Sequence, residues 1–458
     1  MSEQISAQPE NTKTPDAIAE SIGNFSKRLD VIGYFRPEPT SSEQQKQLFM
    51  AGEIDQPIKI CPALEQADFS ALQQDIISIA DDLTSINIPD KFRAPYEAQL
   101  HIFGRTADML QAAQEYNQNR SPESRKKFME ANIEVYGEPD RDTYDGLVTD
   151  LKQSITNKNF TGQAEQVKQE LLDLLPETNT NTQPYRPSPE TIDWAQNIVQ
   201  TIHQPFLDLI PDQDQFSPEQ LKDLFATALH ETMAGAADDW QVILDPQAKS
   251  IDVDPPQKII RIPDNSDKRY SQQIVRDMMV HEIGVHALRS IMGEDTNVEM
   301  LRTGMPGYLN AEEGLGVVSE QALKGQYADR GVPYYLIAGG QYFYHQNFRQ
   351  AFELIWRRDV LLGLKSDQEP SEEAIKKAKD TAYSQVSRIN RGADGDLLWF
   401  KDLSYYNGNR KIWDYLEQTI DDPDAILNLY YGKVDPTDRM HMRAAWDAQA
   451  RKPPKDHS

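Results

Sequence analysis

The sequence predicts a mainly α-helical protein with one small β-sheet, an α+β chain rather than a sandwich or a barrel. Three observations carry this. From about Ser26 to Leu175 the apolar residues recur at helical spacing. Only three consecutive short runs, rich in Val and Ile, look extended. From Ser271 onward the helical pattern resumes, broken by aromatic-rich connections.

Residues 1–20 are polar and Pro-containing, and the stretch 1–25 is expected to be a disordered tail. Residues 26–175 form a helical N-terminal region. In "FSALQQDIISIADDLTSI" the stripe Leu72, Ile76, Ile77, Ile79 and Leu83 falls on one side of a helix, and "YEAQLHIFGRTADMLQAAQEY" repeats the pattern. The stretch "LPETNTNTQPYRPSPE", residues 175–190, is rich in Pro, Thr and Asn and is the natural linker or long loop. A second region spans 190–445. It opens with two helical segments, followed by "WQVILD" (240–245), "SIDVDP" (250–255) and "KIIRIP" (258–263), short strands divided by Pro and Asp-Pro. Residues 446–458 read as a second disordered tail.

Charge narrows the function. The 458 residues carry 47 Lys plus Arg against 73 Asp plus Glu, a formal charge of −26, which should repel nucleic acid and anionic membranes. No run approaches the roughly 18 apolar residues of a spanning helix, and the N-terminus has no apolar core of a signal peptide. A lone Cys61 excludes an internal disulfide framework and suits a reducing compartment. The expectation is a cytoplasmic protein.

The stretch "MMVHEIGVHALRS", residues 278–290, carries the chemistry. It lies in a helix with Ser271 as N-cap, Gly293 as the residue after the last turn, and Ile274, Met278, Val285 and Leu288 as a buried stripe. A zinc-protease helix reads H-E-x-x-H, where residues four apart sit about 40° from each other around the axis. His281 and His286 are five apart, which in a regular α-helix would splay the imidazoles by about 140°. A π-bulge or a break between them removes the splay, and Gly284 inside the extra turn lowers the cost of either. On spacing alone, two histidines with one glutamate are more often satisfied surface or core groups.

A second helix, "GYLNAEEGLGVVSEQALKG" (307–325), strengthens the metal reading, because His₂Glu zinc sites take their third ligand from a carboxylate on another helix. Glu313 lies 27 residues after His286, enough for a loop and an antiparallel return. The helix begins near Asn310 and is closed by Gly325. Glu313 also fits position N3 of a capping box on Asn310, and Glu312 fits a first-turn carboxylate favoured by the helix dipole. One of the pair serves the metal and the other the helix end.

"HEIGVHALR" followed by "GMPGYLNAEEGLGVVSE" resembles the zinc-peptidase family that includes the microtubule-associated tyrosine carboxypeptidases. Its bacterial members are often called flavohaemoglobin expression-modulating QEGLA motif proteins. That family's motif is H-E-I-G-T-H with a later E-E-G-L-A, so the extra residue is a family feature. The resemblance is good over about 190–420, including "RINRGADGDLLWFKDLSYYNGNRKIWDYL", and weak over 26–175. Val285 stands where the family usually has Thr, and Gly316 where it has Ala.

The resemblance implies a zincin-like catalytic core within 190–445. It makes His281, His286 and Glu313 ligands of Zn2+, with Glu313 preferred to Glu312 because it directly precedes the small residue. It makes Glu282 the general base. The substrate would be the C-terminus of a peptide or protein. Arg388, Arg391 and Lys401 would then hold its carboxylate, unless they pair with Asp394, Asp396 or Asp402. Tyr405, Tyr406 and His345 are candidates for oxyanion stabilisation. Two rivals stand beside the carboxypeptidase: a zinc hydrolase of a non-peptide amide, and a zinc-bound regulatory or interaction protein without catalysis.

Overall fold

A computed structural model describes residues 15–450, apart from 87, 89, 179–184, 234, 247, 249, 295, 297, 393–395, 421 and 423. The chain is mainly helical with two small sheets. The expected strands are β2 (Gln241–Asp245), β3 (Asp252–Asp254) and β4 (Ile259–Pro263). They form one sheet in the order β2-β4-β3, with β2 parallel and β3 antiparallel to β4. A two-residue pair, β1 (Gln215–Phe216) with β5 (Tyr270–Ser271), was too short to show as a periodic run. Residues 1–14 of the expected N-terminal tail, residues 179–184 of the expected linker and the tail from 451 lie outside the described residues.

The sheet positions the motif helix. Along β4 the burial alternates, and Ile260 and Ile262 point into a core shared with Phe225, Trp240, Val275, Met279, Ile283 and Ala287. Burying a side chain of this kind is worth about 1.5–3 kcal/mol relative to exposure. The outward Arg261 bridges β3 through Asp252 (2.8 Å) and Asp254 (3.0 Å).

The helices of the N-terminal region share cores with the C-terminal half. Phe25, Phe35, Phe103 and Phe128 pack in one core with Met300, Met305, Trp399 and Met442. Phe49, Tyr144 and Leu171 pack in another with Tyr335, Phe352 and Phe400. The helix Pro15–Arg28 begins inside the stretch expected to be a tail, and its Ile18, Ile22 and Phe25 are buried. Likewise Arg439–Gln449 carries helix into the expected C-terminal tail.

Three local expectations about the site helices need correction. Ile274 is 43% exposed, because the buried face of the motif helix runs through Val275, Met279, Val280 and Ile283 instead. Gly293 lies within the helix Leu288–Glu294. Its lack of a side chain serves close approach, since a Cβ there would sit 2.0 Å from the Leu301 carbonyl oxygen. The second helix runs from Leu309 to Leu323 with Tyr308 at its N-cap, so Asn310 is helical and makes no capping box with Glu313. Gly325 follows it in a left-handed conformation (φ +61°), as a terminating glycine should.

Candidate metal centre

Ser271 caps the motif helix, accepting from the Ile274 amide at 3.3 Å. The helix is regular through Met278 and then becomes a π-helix over Met279–Ala287, before returning to α geometry from Leu288. In the widened turn the Leu288 amide donates to Ile283, five residues back. Residues five apart therefore stand over one another. The rings of His281 and His286 lie 4.9 Å apart, centre to centre. Of the two geometric escapes from the splay, the chain uses the π-turn.

Gly284 permits this turn through space rather than backbone freedom. A Cβ on it would lie 2.6 Å from Nδ1 of His203, a fully buried histidine of the helix Pro189–Leu207. Gly316 likewise leaves space for His281, since a Cβ there would meet its Nε2 at 2.6 Å.

The helix Leu309–Leu323 presents three carboxylates to the two imidazoles. Glu320 bonds Nδ1 of His281 (2.6 Å) and Glu312 bonds Nδ1 of His286 (2.8 Å). Each ring is thus fixed from behind, leaving Nε2 as its free nitrogen, the arrangement carboxylates impose on metal-binding histidines. Glu313, one residue after Glu312, makes no hydrogen bond or ion pair among the described residues. One ligand atom each from His281, His286 and Glu313 lie within 4.8 Å of one another. Glu312 is not available in the same way. It is 2% exposed, and both its oxygens are engaged by Arg289, Lys433 and His286.

The electrostatics call for a cation. Glu282, Glu312, Glu313 and Glu320 face only two buried positive groups, Arg289 and Lys433, with Arg330 at the rim bonding Glu320 at 3.1 Å. Among the described residues the four carboxylates outnumber these cations, so the cluster favours a positive charge between the imidazoles. Burial lowers the pKa of His281, but the hydrogen bond to Glu320 and the charges of Glu282, Glu320 and Glu313 outweigh it and raise it to about 9. Burial is also the main reason Glu282 is held above the ordinary carboxylate range, against the pull of both histidines. In Glu312 the same penalty is overcome by Lys433, Arg289 and His286, and its carboxyl is held well below that range. Two imidazole nitrogens and one carboxylate oxygen are the protein donor set of a catalytic zinc site, which keeps its fourth position for water or substrate.

The C-terminal candidates divide. The helix Ser404–Gln418 meets the carboxylate helix at backbone contact: a Cβ on Gly314 would lie 2.2 Å from the Gly408 carbonyl oxygen, and one on Gly408 would lie 2.0 Å from that of Asn310. This seats Tyr405 where Glu313 is the leading charge that it feels, and burial followed by that charge pushes its hydroxyl up to about 12. Tyr406 faces away into the core, its ring 4.8 Å from that of Tyr335, and the charges nearest it are Asp329 and Arg410. His345 caps the helix Val332–Tyr344 in a left-handed conformation and is exposed.

Arg388 is committed to the buried Asp402 through two bonds of 2.7 and 2.8 Å, and its guanidinium stacks on Tyr334 and Tyr405. Arg391 lies 5.5 Å over the Trp399 ring, and neither it nor Lys401 has a carboxylate partner among the described residues. Asp396 bonds Tyr116 instead, and Asp394 lies outside the described residues. Beside Arg388 runs an open groove of about 690 Å³ lined by Tyr334, Lys376, Asp380, Ser384 and Arg388.

Residues 178–333 match the family described as microtubule-associated tyrosine carboxypeptidase. The chain carries a MATCAP domain. No curated protein and no solved structure matches the chain. The MATCAP domain is that of a carboxypeptidase family, and it covers less than half of the 458 residues. It holds the sheet, the π-turn and the carboxylate helix, hence His281, Glu282, His286 and Glu313. Arg388, Arg391, Lys401, Tyr405 and Lys433 lie beyond it.

Sequence reasoning missed Glu320, Arg289 and Lys433. Glu320 had a signal: it follows Glu313 by two helical turns and shares its face. Arg289 stands three residues after His286, again on one face. Lys433 had none, since nothing local links it to residues more than a hundred positions earlier.

Proposed function

We infer that the protein is a zinc-dependent carboxypeptidase acting on the C-terminus of a peptide or protein. The observation that carries this is the convergence of His281, His286 and Glu313, backed by carboxylates on both rings, inside a domain of a carboxypeptidase family. Their Nε2 and carboxylate oxygen atoms would hold the ion. When bound, zinc would supply a Lewis acid for the scissile carbonyl and bring its water to near-neutral acidity.

Glu282 stands beside the first ligand with no hydrogen bond of its own among the described residues, and its raised pKa suits a base that must both take and give a proton. It removes the proton of the attacking water and delivers it to the departing amine. Tyr405 keeps its hydroxyl protonated and donates to the developing oxyanion. With Arg388 tied to Asp402, the terminal carboxylate falls to Arg391 and Lys401. The family's name gives a C-terminal tyrosine as the first substrate to offer.

The test pairs metal content with peptide cleavage. Purified protein should contain about one zinc per chain and should release the last residue of a peptide with a free C-terminus. The amidated peptide should resist, and Glu282→Gln should lose about 10²–10⁴-fold in rate while keeping its zinc. Equal cleavage of free and amidated peptides would remove the carboxypeptidase reading, and full activity in Glu282→Gln would remove the mechanism.

A further inference from the structure

The carboxylate beside the third ligand is the most heavily engaged charged group in the centre. Oε1 of Glu312 receives Nδ1 of His286 at 2.8 Å and the Lys433 ammonium, and Oε2 receives the Arg289 guanidinium. Arg289 is itself fully buried, and its other donors bond the carbonyl oxygens of Gly432 (3.1 Å) and Val434 (2.5 Å). The segment Gly432–Val434 is anchored in turn. The Lys433 amide donates to Leu301 (2.7 Å), its carbonyl accepts from Met305 (3.0 Å), and Lys411 bonds Asp435 (2.5 Å). Burying three charges together is costly, and apolar groups of the same volume commonly stabilise such a place as well or better. Here the cluster converges on the back of one imidazole, which is where orientation matters to a metal.

We propose that Glu312 is a positioning residue for His286, and that the segment Gly432–Val434, outside the family match, completes the metal centre by holding Glu312 in place. This rests on the metal-centre reading above. Glu312 fixes the proton on Nδ1 and turns Nε2 toward the ion, and Lys433 and Arg289 keep the carboxylate from swinging to the metal in place of Glu313. Glu320 does the equivalent for His281 from a looser seat, because its own cation, Arg330, is 49% exposed.

The test measures zinc affinity by competition with a chelator, together with the visible absorption of the cobalt-substituted protein. Three proteins are compared: the parent, Glu312→Gln, and Glu312→Gln with Lys433→Met. The double variant keeps the parent's buried net charge, so it carries the comparison should the single variant fail to fold. Zinc binding 10–100-fold weaker than the parent's in the folded variants, with a changed cobalt spectrum, is the expected result. Binding within about threefold of the parent with an unchanged spectrum would make Glu312 a structural charge only, and the proposal would fall. A parent that takes up neither metal would overturn the metal-centre reading itself and this inference with it.

Discussion

His281 and His286 are five residues apart, yet their ring centres lie 4.9 Å apart because the helix between them is a π-turn. The turn is shaped by what packs on it. Gly284, in its middle, faces the ring of His203 with no room for a methyl group. Gly284→Ala should therefore destabilise the protein by about 1–3 kcal/mol, the usual cost of overpacking. Adding His203→Ala should recover part of the loss. Thermal midpoints of the four members of this double-mutant cycle give the coupling, and strict additivity would show that Gly284 acts through backbone freedom instead.

Gly316 presses on the other side of the site. Its Cα faces the His281 ring, and a methyl there would overlap Nε2. Gly316→Ala must turn or shift an imidazole that Glu320 holds from behind at 2.6 Å. We expect zinc affinity to drop by at least about tenfold, comparable to losing the partner behind the ring, with the far-UV circular dichroism unchanged. Unaltered zinc affinity would mean that the ring has slack.

How much of this was legible in the sequence depends on the range of the interaction. The three strands and the two site helices were readable because their periodicity and caps are local: Val242, Ile260 and Ile262 declare a strand, and Ser271 declares a helix start. The His-Glu pattern was readable for the same reason. The choice of π-turn over a break was not, because the turn packs on His203, some eighty positions earlier, and that contact leaves no local signal. The preference for Glu313 over Glu312 came from the family resemblance alone, because Lys433, which engages Glu312, lies more than a hundred positions later and leaves no local signal. The tail expectation failed at Pro15–Arg28 because a short helix gains its stability from the core it joins, here Phe103 and its neighbours, rather than from its own sequence.

Arg388 and Arg391 should separate cleanly in mutagenesis. Arg388→Ala leaves Asp402, 1% exposed, without its cation, and breaking such a buried pair costs about 3–5 kcal/mol. The effect should appear as lost stability. Arg391→Ala breaks no ion pair among the described residues. It should leave the melting temperature nearly unchanged and raise KM for a peptide with a free C-terminus. If Arg391→Ala alters stability and leaves KM alone, the carboxylate must be held elsewhere.

Gly408 sets the distance between the tyrosine helix and the carboxylate helix. A methyl at this position would fall 2.0 Å from the Asn310 carbonyl oxygen, backbone that cannot yield without moving a helix. Gly408→Ala should push Tyr405 away from Glu313, while the ligands on the motif helix stay in place. The expected signature is a kcat reduced by about 10²–10³-fold, the scale of losing one oxyanion donor, with zinc stoichiometry retained. Tyr405→Phe should reproduce the kcat loss without the accompanying loss of stability. A kcat unaffected by Tyr405→Phe would remove that residue from the mechanism.

His203 makes the stability of the protein depend on pH in a definite window. Burial lowers its pKa to about 4, from an ordinary value near 6.5 in the unfolded chain. Between those two values the unfolded chain binds the proton and the folded one does not, so stability rises with pH across the window. The contribution is complete above about pH 6.5, shrinks as the pH falls, and is gone below about pH 4, for a total of about 3 kcal/mol. His203→Gln cannot titrate and should flatten this part of the profile. Thermal or urea unfolding of the zinc-free protein, parent beside variant from pH 7 to pH 4, isolates the effect from acid release of the metal. Parallel profiles would mean that His203 takes up its proton inside the fold, through an opening that exposes the helix Pro189–Leu207 before the rest unfolds.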